Sequence, residues 1–137
     1  MEESQSESGR NTGELGGLRV LLVEDEAFLA EVLVRCFTRR GHFVRAACSV
    51  IEAEVLVRQE SFDCGVFDVE VGSEDGIALA ERLLTGRKVG VAVFFSGTAS
   101  GRVRKRAAAV GAFVHKEEHF AELLRVVEGQ ARTRGAT

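Results

Sequence analysis

Two short apolar runs, each ending in carboxylates, constrain the fold of this chain more than any other feature. The run Cys64–Phe67 ends at Asp68, and a loop rich in glycine and acidic residues follows before a helical pattern begins. A second run, Val20–Val23, ends at Glu24 and Asp25. Because the carboxyl ends of parallel strands face the ligand crevice of an open α/β sheet, acidic residues there are seldom structural. The sequence therefore predicts three carboxylates at one edge of a parallel sheet.

Apolar runs alternate with amphipathic helical patterns along most of the chain. This alternation predicts an α/β fold, a doubly wound five-stranded parallel sheet in the order 2-1-3-4-5. The expected strands are 18–23, 42–47, 62–67, 89–95 and 112–115. The expected helices are 26–40, 49–60, 75–85, 101–110 and 118–128. Ser49 is the expected cap of the second helix, whose predicted inward side chains are Ile51, Val55 and Leu56.

Length and composition predict one folded domain over residues 18–130. Residues 1–17 have almost no apolar side chain, so we expect a disordered tail there and a flexible tail over 131–137. The net charge of -3 argues against general nucleic-acid binding. No apolar run is long enough to span a bilayer, and the chain has no signal-peptide pattern. We therefore expect a cytoplasmic protein with no nucleic-acid and no membrane partner.

Polar residues also end the fourth and fifth predicted strands, at Ser96 and Lys116. In the expected strand order these ends are neighbours of the three carboxylates. Carboxylates held together repel one another unless one is protonated or a cation neutralises them, and oxygen-only ligands in a shallow, wet site favour Mg²⁺. A lysine suits a phosphoryl oxygen, and a serine can donate a hydrogen bond to it. The combination predicts phosphoryl transfer onto Asp68.

Each of these residues also has a structural interpretation. Glu24 and Asp25 could form the acidic first turn of a helix, where negative charge complements the helix dipole. Asp68 could be a turn or capping residue, although the third predicted helix begins several residues later. Ser96 could belong to a turn, and Lys116 could be the solvated end of a strand.

Four motifs occur in order at the predicted strand ends. They are Val23-Glu24-Asp25-Glu26, Asp68 with Gly76 eight residues later, Phe95-Ser96-Gly97, and Gly111-Ala112 followed by Lys116. Through these motifs residues 18–130 resemble the receiver domain of two-component response regulators, which has a flavodoxin-like fold. The chain also resembles receivers of the stand-alone, single-domain type. The resemblance implies a phosphoacceptor signalling protein rather than an enzyme acting on external substrates.

The resemblance also assigns roles to individual residues. It implies that Asp68 accepts a phosphoryl group from a sensor histidine kinase or a histidine phosphotransferase. It implies that Asp25, Asp68 and the backbone carbonyl of Glu70 ligate Mg²⁺, while Glu24 acts mainly through water. Ser96 and Lys116 would contact the phosphoryl group.

The chain departs from the family pattern at several points. Gly72 stands where the family usually has proline, and Glu117 replaces the proline that commonly follows the lysine. The segment between Gly111 and Lys116 is about two residues shorter than usual. Phe113 stands where an aromatic switch residue is expected, but it has no hydroxyl.

Signal output is expected through protein contact or onward transfer of the phosphoryl group. The predicted target-binding face comprises the basic helix 102–110, residues 113–115 and the last helix. We expect a monomer or weak homodimer. One alternative is a pseudo-receiver, an interaction module that phosphorylation does not regulate. Another is a phosphatase with Asp68 as nucleophile and Glu70 as acid.

Overall fold

A central parallel sheet organises the computed structural model, which describes residues 17–97 and 100–135. The strands, labelled in chain order, are β1 (Arg19–Val23), β2 (Phe43–Ala47), β3 (Phe62–Phe67), β4 (Val89–Ser96) and β5 (Ala112–His115). They lie in the order β2-β1-β3-β4-β5, and every neighbouring pair is parallel. The predicted sheet and strand order are therefore confirmed.

Five helices connect or follow these strands. They are α1 (Ala27–Arg39), α2 (Val50–Gln59), α3 (Gly76–Thr85), α4 (Gly101–Ala108) and α5 (Phe120–Gly135). Side-chain oxygens of Ser49, Asp75 and Ser100 accept backbone N–H bonds at the starts of α2, α3 and α4, which satisfies donors that a helix start leaves unpaired. Among the described helices, none is both long and apolar enough to cross a membrane.

The sheet separates two hydrophobic clusters. One contains buried residues of α2, α3 and α4, and the other contains buried residues of α1 and α5. Central strands contribute to both clusters because successive side chains point to opposite faces of the sheet. Leu21 and Val23 pack in the first cluster, for example, while Val20 and Leu22 pack in the second.

The predicted inward face of α2 is wrong for two of its three residues. Ile51 and Val55 are 69% and 47% exposed, whereas Leu56 is partly buried. The helix packs through a neighbouring stripe instead, formed by Val50, Ala53 and Val57. Both stripes are apolar in the sequence, and the small Ala53 side chain suits the one that lies against the sheet.

The ends of the domain differ partly from the expectation. Residues 1–16 of the predicted N-terminal tail lie outside the described residues. At the other end, α5 runs from Phe120 to Gly135, so the predicted domain end at residue 130 falls inside a helix. The buried side chain of Ala131 continues the apolar stripe that contains Val127 past the predicted helix end at residue 128.

The segment after Asp68 is more regular than the predicted loop. Two-residue strands, Glu70–Val71 and Glu74–Asp75, pair antiparallel and form a small hairpin. A Cβ atom at Gly76 would lie 1.9 Å from the Asp68 backbone oxygen, so only glycine allows α3 to begin this close to the end of β3. The hairpin is therefore held beside Asp68.

Candidate functional site

The three predicted carboxylates meet at the carboxyl edge of the sheet. Strands β1 and β3 are neighbours, and Val23 pairs with Phe67, so the residues that follow these strands lie side by side. Glu24, Asp25 and Asp68 each place a carboxylate oxygen within 4.8 Å of the others. This arrangement follows from the strand order, since the acids are far apart in the sequence.

Ser96 and Lys116 join this carboxylate cluster, as the sequence predicts. The Ser96 hydroxyl donates to Asp68 Oδ1 at 2.7 Å, and the Lys116 ammonium donates to Asp68 Oδ2 at 2.8 Å. The Lys116 Nζ atom also lies 3.1 Å from Glu24 Oε1. Ser96 is only 1% exposed. The structure therefore brings all five predicted side chains together.

The shortened segment before Lys116 does not displace the lysine from the site. The parallel ladder between β4 and β5 continues to the pair Ser96 and His115. Directly after it, the Lys116 backbone N–H donates to the Ser96 carbonyl at 3.0 Å. This register fixes the start of the lysine side chain next to Ser96.

Burial and neighbouring charges have opposing effects on the pKa values of Glu24 and Lys116. Burial raises the pKa of Glu24, while the Glu26 backbone N–H and the Lys116 ammonium oppose the rise. For Lys116, burial works against the charge, but the Asp68 and Glu24 carboxylates outweigh it and raise the pKa of the ammonium. Lys116 is therefore a stable internal cation at neutral pH.

Replacing this cation should destabilise the protein. We expect Lys116→Met to lower the free energy of unfolding by about 2 kcal/mol in buffer without Mg²⁺, because two largely buried carboxylates lose their partner. Urea unfolding at pH 7 measures the change. Lys105→Met is the control, because Lys105 is exposed on α4 and has no ion pair among the described residues. Equal effects of the two variants would contradict the neutralising role of Lys116.

Glu70 lies at the rim of the site, two residues after Asp68. The Glu70 backbone N–H donates to Asp68 Oδ1 at 3.3 Å, and Glu70 is exposed at the start of the hairpin. These contacts place Glu70 beside the carboxylate cluster. The role of its carbonyl oxygen as a metal ligand stays a prediction.

Two contacts of the hairpin do not follow from the sequence patterns described above. The Gly72 backbone N–H donates to Asp25 Oδ2 at 3.0 Å. The Asp75 carboxylate caps α3 and also pairs with Arg106 of α4 at 2.6 Å. Burial raises the pKa of Asp75, but Arg106 and the backbone amides of α3 outweigh this effect, so the pKa is lowered. The Gly72-Ser73 dipeptide between two strand-like segments is a hairpin signal that could have revealed this geometry.

A surface formed by α4 and β5 lies next to Ser96. The Arg104 guanidinium lies 5.0 Å from the centroid of the Phe113 ring, a cation–π distance. Phe113 is half-buried and packs against the cluster that contains Ala107. His115, which pairs with Ser96, follows Phe113 by two residues, so the side chains of Phe113 and His115 lie on the same face of β5. A movement at Ser96 can therefore reach this surface over a short distance.

The donor atoms of the carboxylate cluster fit a hard divalent cation. Carboxylate oxygens are the ligands that Mg²⁺ prefers, and this ion keeps several waters when few protein ligands are present. Asp25 is exposed, so water reaches the cluster. The residues present therefore fit the Mg²⁺ that the sequence predicts.

Comparisons with known proteins identify the family of this chain. The family model of the response regulator receiver domain matches residues 20–128 of the chain. The transcriptional regulatory protein TcrA of Mycobacterium tuberculosis is 35% identical over 75 residues, which cover 55% of this chain and 30% of TcrA. The alginate biosynthesis transcriptional regulatory protein AlgB of Pseudomonas putida is 30% identical over 77 residues, 56% of this chain and 15% of AlgB. The matches thus span less than a third of these relatives.

Solved structures show the same fold. A response regulator protein from Burkholderia pseudomallei, with a phosphorylated aspartic acid, calcium ion and citrate, has a TM-score of 0.74 at 26% identity, covering 86% of this chain and 71% of that chain. A CheY-like receiver domain protein from Methanospirillum hungatei has a TM-score of 0.80 at 20% identity, covering 88% and 98%. The family match over most of the chain and this shared fold lead to one conclusion: the chain belongs to the response regulator receiver domains, the signalling domains of two-component systems.

Proposed function

We propose that this chain is a phosphoacceptor and that Asp68 receives the phosphoryl group from a sensor histidine kinase or a histidine phosphotransferase. The observation that carries the proposal is the position of the Asp68 carboxylate. Ser96 and Lys116 contact its two oxygens, and it shares the end of the sheet with Glu24 and Asp25. A cation and a hydroxyl donor therefore both contact the nucleophile.

The transfer requires no general base, because an ionised carboxylate is already a nucleophile. An Asp68 oxygen forms a bond to phosphorus as the phosphorus–nitrogen bond of the phosphohistidine breaks, and the electron pair stays on the imidazole nitrogen. The Lys116 ammonium and the Ser96 hydroxyl would contact the phosphoryl oxygens after transfer. The product is an acyl phosphate on Asp68.

The carboxylate cluster would hold the metal ion for this reaction. Asp25, Asp68 and the Glu70 carbonyl would be its direct ligands, with Glu24 acting mainly through water. When bound, Mg²⁺ supplies positive charge that neutralises the phosphoryl oxygens. The response regulator from Burkholderia pseudomallei contains a phosphorylated aspartic acid and a calcium ion, which supports both an aspartyl phosphate and a divalent ion in this chain.

The intact mass of the protein tests the proposal directly. After incubation with Mg²⁺ and acetyl phosphate, the protein should gain the mass of a single phosphoryl group. No gain would favour the pseudo-receiver alternative. Continuous release of phosphate from added phosphomonoesters would favour the phosphatase alternative.

The wider biological setting is part of the same proposal. We propose a cytoplasmic receiver domain beginning near residue 18, which acts as a monomer or weak homodimer and passes its signal by protein contact. TcrA and AlgB are named as transcriptional regulatory proteins and extend well beyond the matched segments. The absence of a nucleic-acid partner therefore stays a prediction.

The signal is expected to leave through the face formed by α4, β5 and α5. Beryllofluoride with Mg²⁺, which mimics the phosphoryl group, should draw the Ser96 hydroxyl toward it and disturb the contact between Arg104 and Phe113. NMR of the ¹⁵N-labelled protein should show shifted amide signals over residues 101–120. Asp68→Asn with the same additions is the control and should show none of these shifts. Shifts confined to residues 24–26 and 68–76 would contradict this route and favour onward transfer of the phosphoryl group.

A further inference from the structure

The hairpin after Asp68 is anchored at both of its ends. Its two ladder pairs are Glu70 with Asp75 and Val71 with Glu74, and Val71 is only 2% exposed. At the C-terminal end of the hairpin, Asp75 caps α3 and pairs with Arg106. The Gly76 backbone N–H donates to the Val69 carbonyl at 2.9 Å, which closes the base of the hairpin. These contacts fix the turn of the hairpin relative to the sheet.

The turn presents one backbone amide to the metal site. Gly72 and Ser73 are its two central residues, and of these only Gly72 has a positive φ, of 64°. This pattern matches a type II′ turn, which carries glycine at its first central position. The hydrogen bond of such a turn joins the flanking residues Val71 and Glu74, so the Gly72 N–H remains outside it. That N–H donates to Asp25 Oδ2 at 3.0 Å.

Asp25 depends on this amide more than its neighbours in the cluster do. Lys116 and Ser96 hold Asp68, and Lys116 and the Glu26 backbone N–H hold Glu24. Asp25 is exposed, and the Gly72 amide is its hydrogen-bond donor among the described residues. Without that bond, the Asp25 side chain would be free to turn towards solvent.

We propose that the Gly72 backbone amide is a positioning group that holds Asp25 towards Glu24 and Asp68, so that the Mg²⁺ site is assembled before the ion arrives. The inference rests on the proposed function, because it concerns the same metal site. A proline, the residue that Gly72 replaces relative to the family pattern, has no amide hydrogen and cannot make this bond. The chain therefore orders its exposed metal ligand with a donor of its own.

Two changes at the same position separate the amide from the backbone strain. Glycolic acid at position 72, introduced by semisynthesis, replaces the Gly72 N–H with an ester oxygen and keeps the positive φ accessible, whereas Gly72→Ala keeps the N–H and imposes a side chain on that φ. Gly72→Pro is unsuitable, because proline fixes φ at about −65° and would alter the turn as well as the amide. A Cβ at this position would meet no atom within 4 Å, so Gly72→Ala is not expected to clash through that atom. Dissociation constants for Mg²⁺ come from NMR titrations, with thermal unfolding to verify that each variant is folded.

We expect Mg²⁺ to bind about tenfold more weakly to the ester variant, as for other partners that orient a metal ligand. The conservative Gly72→Ala variant should bind within about twofold of wild type, the small residual change arising from the strained φ. An equal loss in Gly72→Ala would mean that any disturbance of the turn weakens binding, and unchanged binding in both would mean that the amide has no effect. Either result would overturn the inference while the proposed function stands. A wild-type protein that binds no Mg²⁺ would overturn both.

Hydrogen exchange of the wild-type protein provides a second measurement, which decides the matter if the ester variant does not fold. The Gly72 amide should exchange more slowly than an unstructured amide in metal-free buffer, because Asp25 accepts its hydrogen bond. Exchange at the rate of an unstructured amide would show that the bond does not form in solution and would overturn the inference.

Discussion

Asp68→Asn will gain no phosphoryl group from acetyl phosphate and Mg²⁺ under conditions in which the wild-type protein gains one. The asparagine side chain has nearly the same shape, and its single oxygen can still accept a hydrogen bond from one of the two donors, Ser96 or Lys116. It has no ionised oxygen with which to attack phosphorus, and it contributes no charge to the metal site. We therefore expect a complete loss of labelling with little loss of structure. Intact-mass spectrometry measures the labelling.

A matched control separates this loss from a general effect of removing a carboxylate. Asp63→Asn makes the same chemical change at the opposite edge of the sheet, where Asp63 accepts the Arg19 backbone N–H at 2.7 Å. An asparagine oxygen can accept the same bond, and labelling should remain. Full labelling of Asp68→Asn would show that another residue is the phosphoacceptor, which would contradict the proposed function.

Asp25→Ala should abolish measurable Mg²⁺ binding, while Glu24→Gln should only weaken it. Asp25 is exposed and has one oxygen engaged by Gly72. Glu24 is 2% exposed, and its two oxygens already contact the Lys116 ammonium and the Glu26 N–H. Loss of a residue that acts on a metal through water lowers the metal affinity about 10–100-fold, so we expect Glu24→Gln to bind Mg²⁺ about tenfold more weakly. Asp25 is a proposed direct ligand, so the loss for Asp25→Ala should exceed about 100-fold.

Titration of each variant with Mg²⁺, followed by NMR, measures both losses against wild type. Asp63→Asn is again the control, since its carboxylate lies outside the cluster. Equal losses for the two variants would mean that Glu24 ligates the ion directly. A larger loss for Glu24→Gln would reverse the roles assigned to the two acids.

The strands and the site were predictable because each depends on a local pattern and one simple rule. A buried parallel strand is apolar along its whole length, as in Val20–Val23, and its end is marked by the first polar residue. Once the strand order is given, residues 24, 68, 96 and 116 must lie at neighbouring ends of the sheet. The described contacts of Lys116 agree with this, although its roles in phosphoryl transfer remain proposals.

The exposed face of α2 and the hairpin were harder to predict for a different reason. Ile51 and Val55 are four residues apart and could have faced the core, but so could Val50, Ala53 and Val57. The choice depends on how the helix packs against the sheet, which periodicity alone does not fix. The hairpin depends on the positive φ of Gly72, and a glycine in a sequence does not reveal which conformation it adopts.

Lys116 brings one positive charge to three carboxylates, so the metal-free site remains negative when all four groups are ionised. A small phosphodonor is itself an anion, and salt at physiological ionic strength screens charges only beyond about 8 Å. The donor therefore meets repulsion at contact distance until a divalent ion has entered. For the proposed phosphorylation, we expect an order of arrival in which the metal comes first and the donor second. Phosphorylation at low Mg²⁺ should accordingly follow the occupancy of the ion site, which would link the speed of signalling to the free Mg²⁺ around the protein.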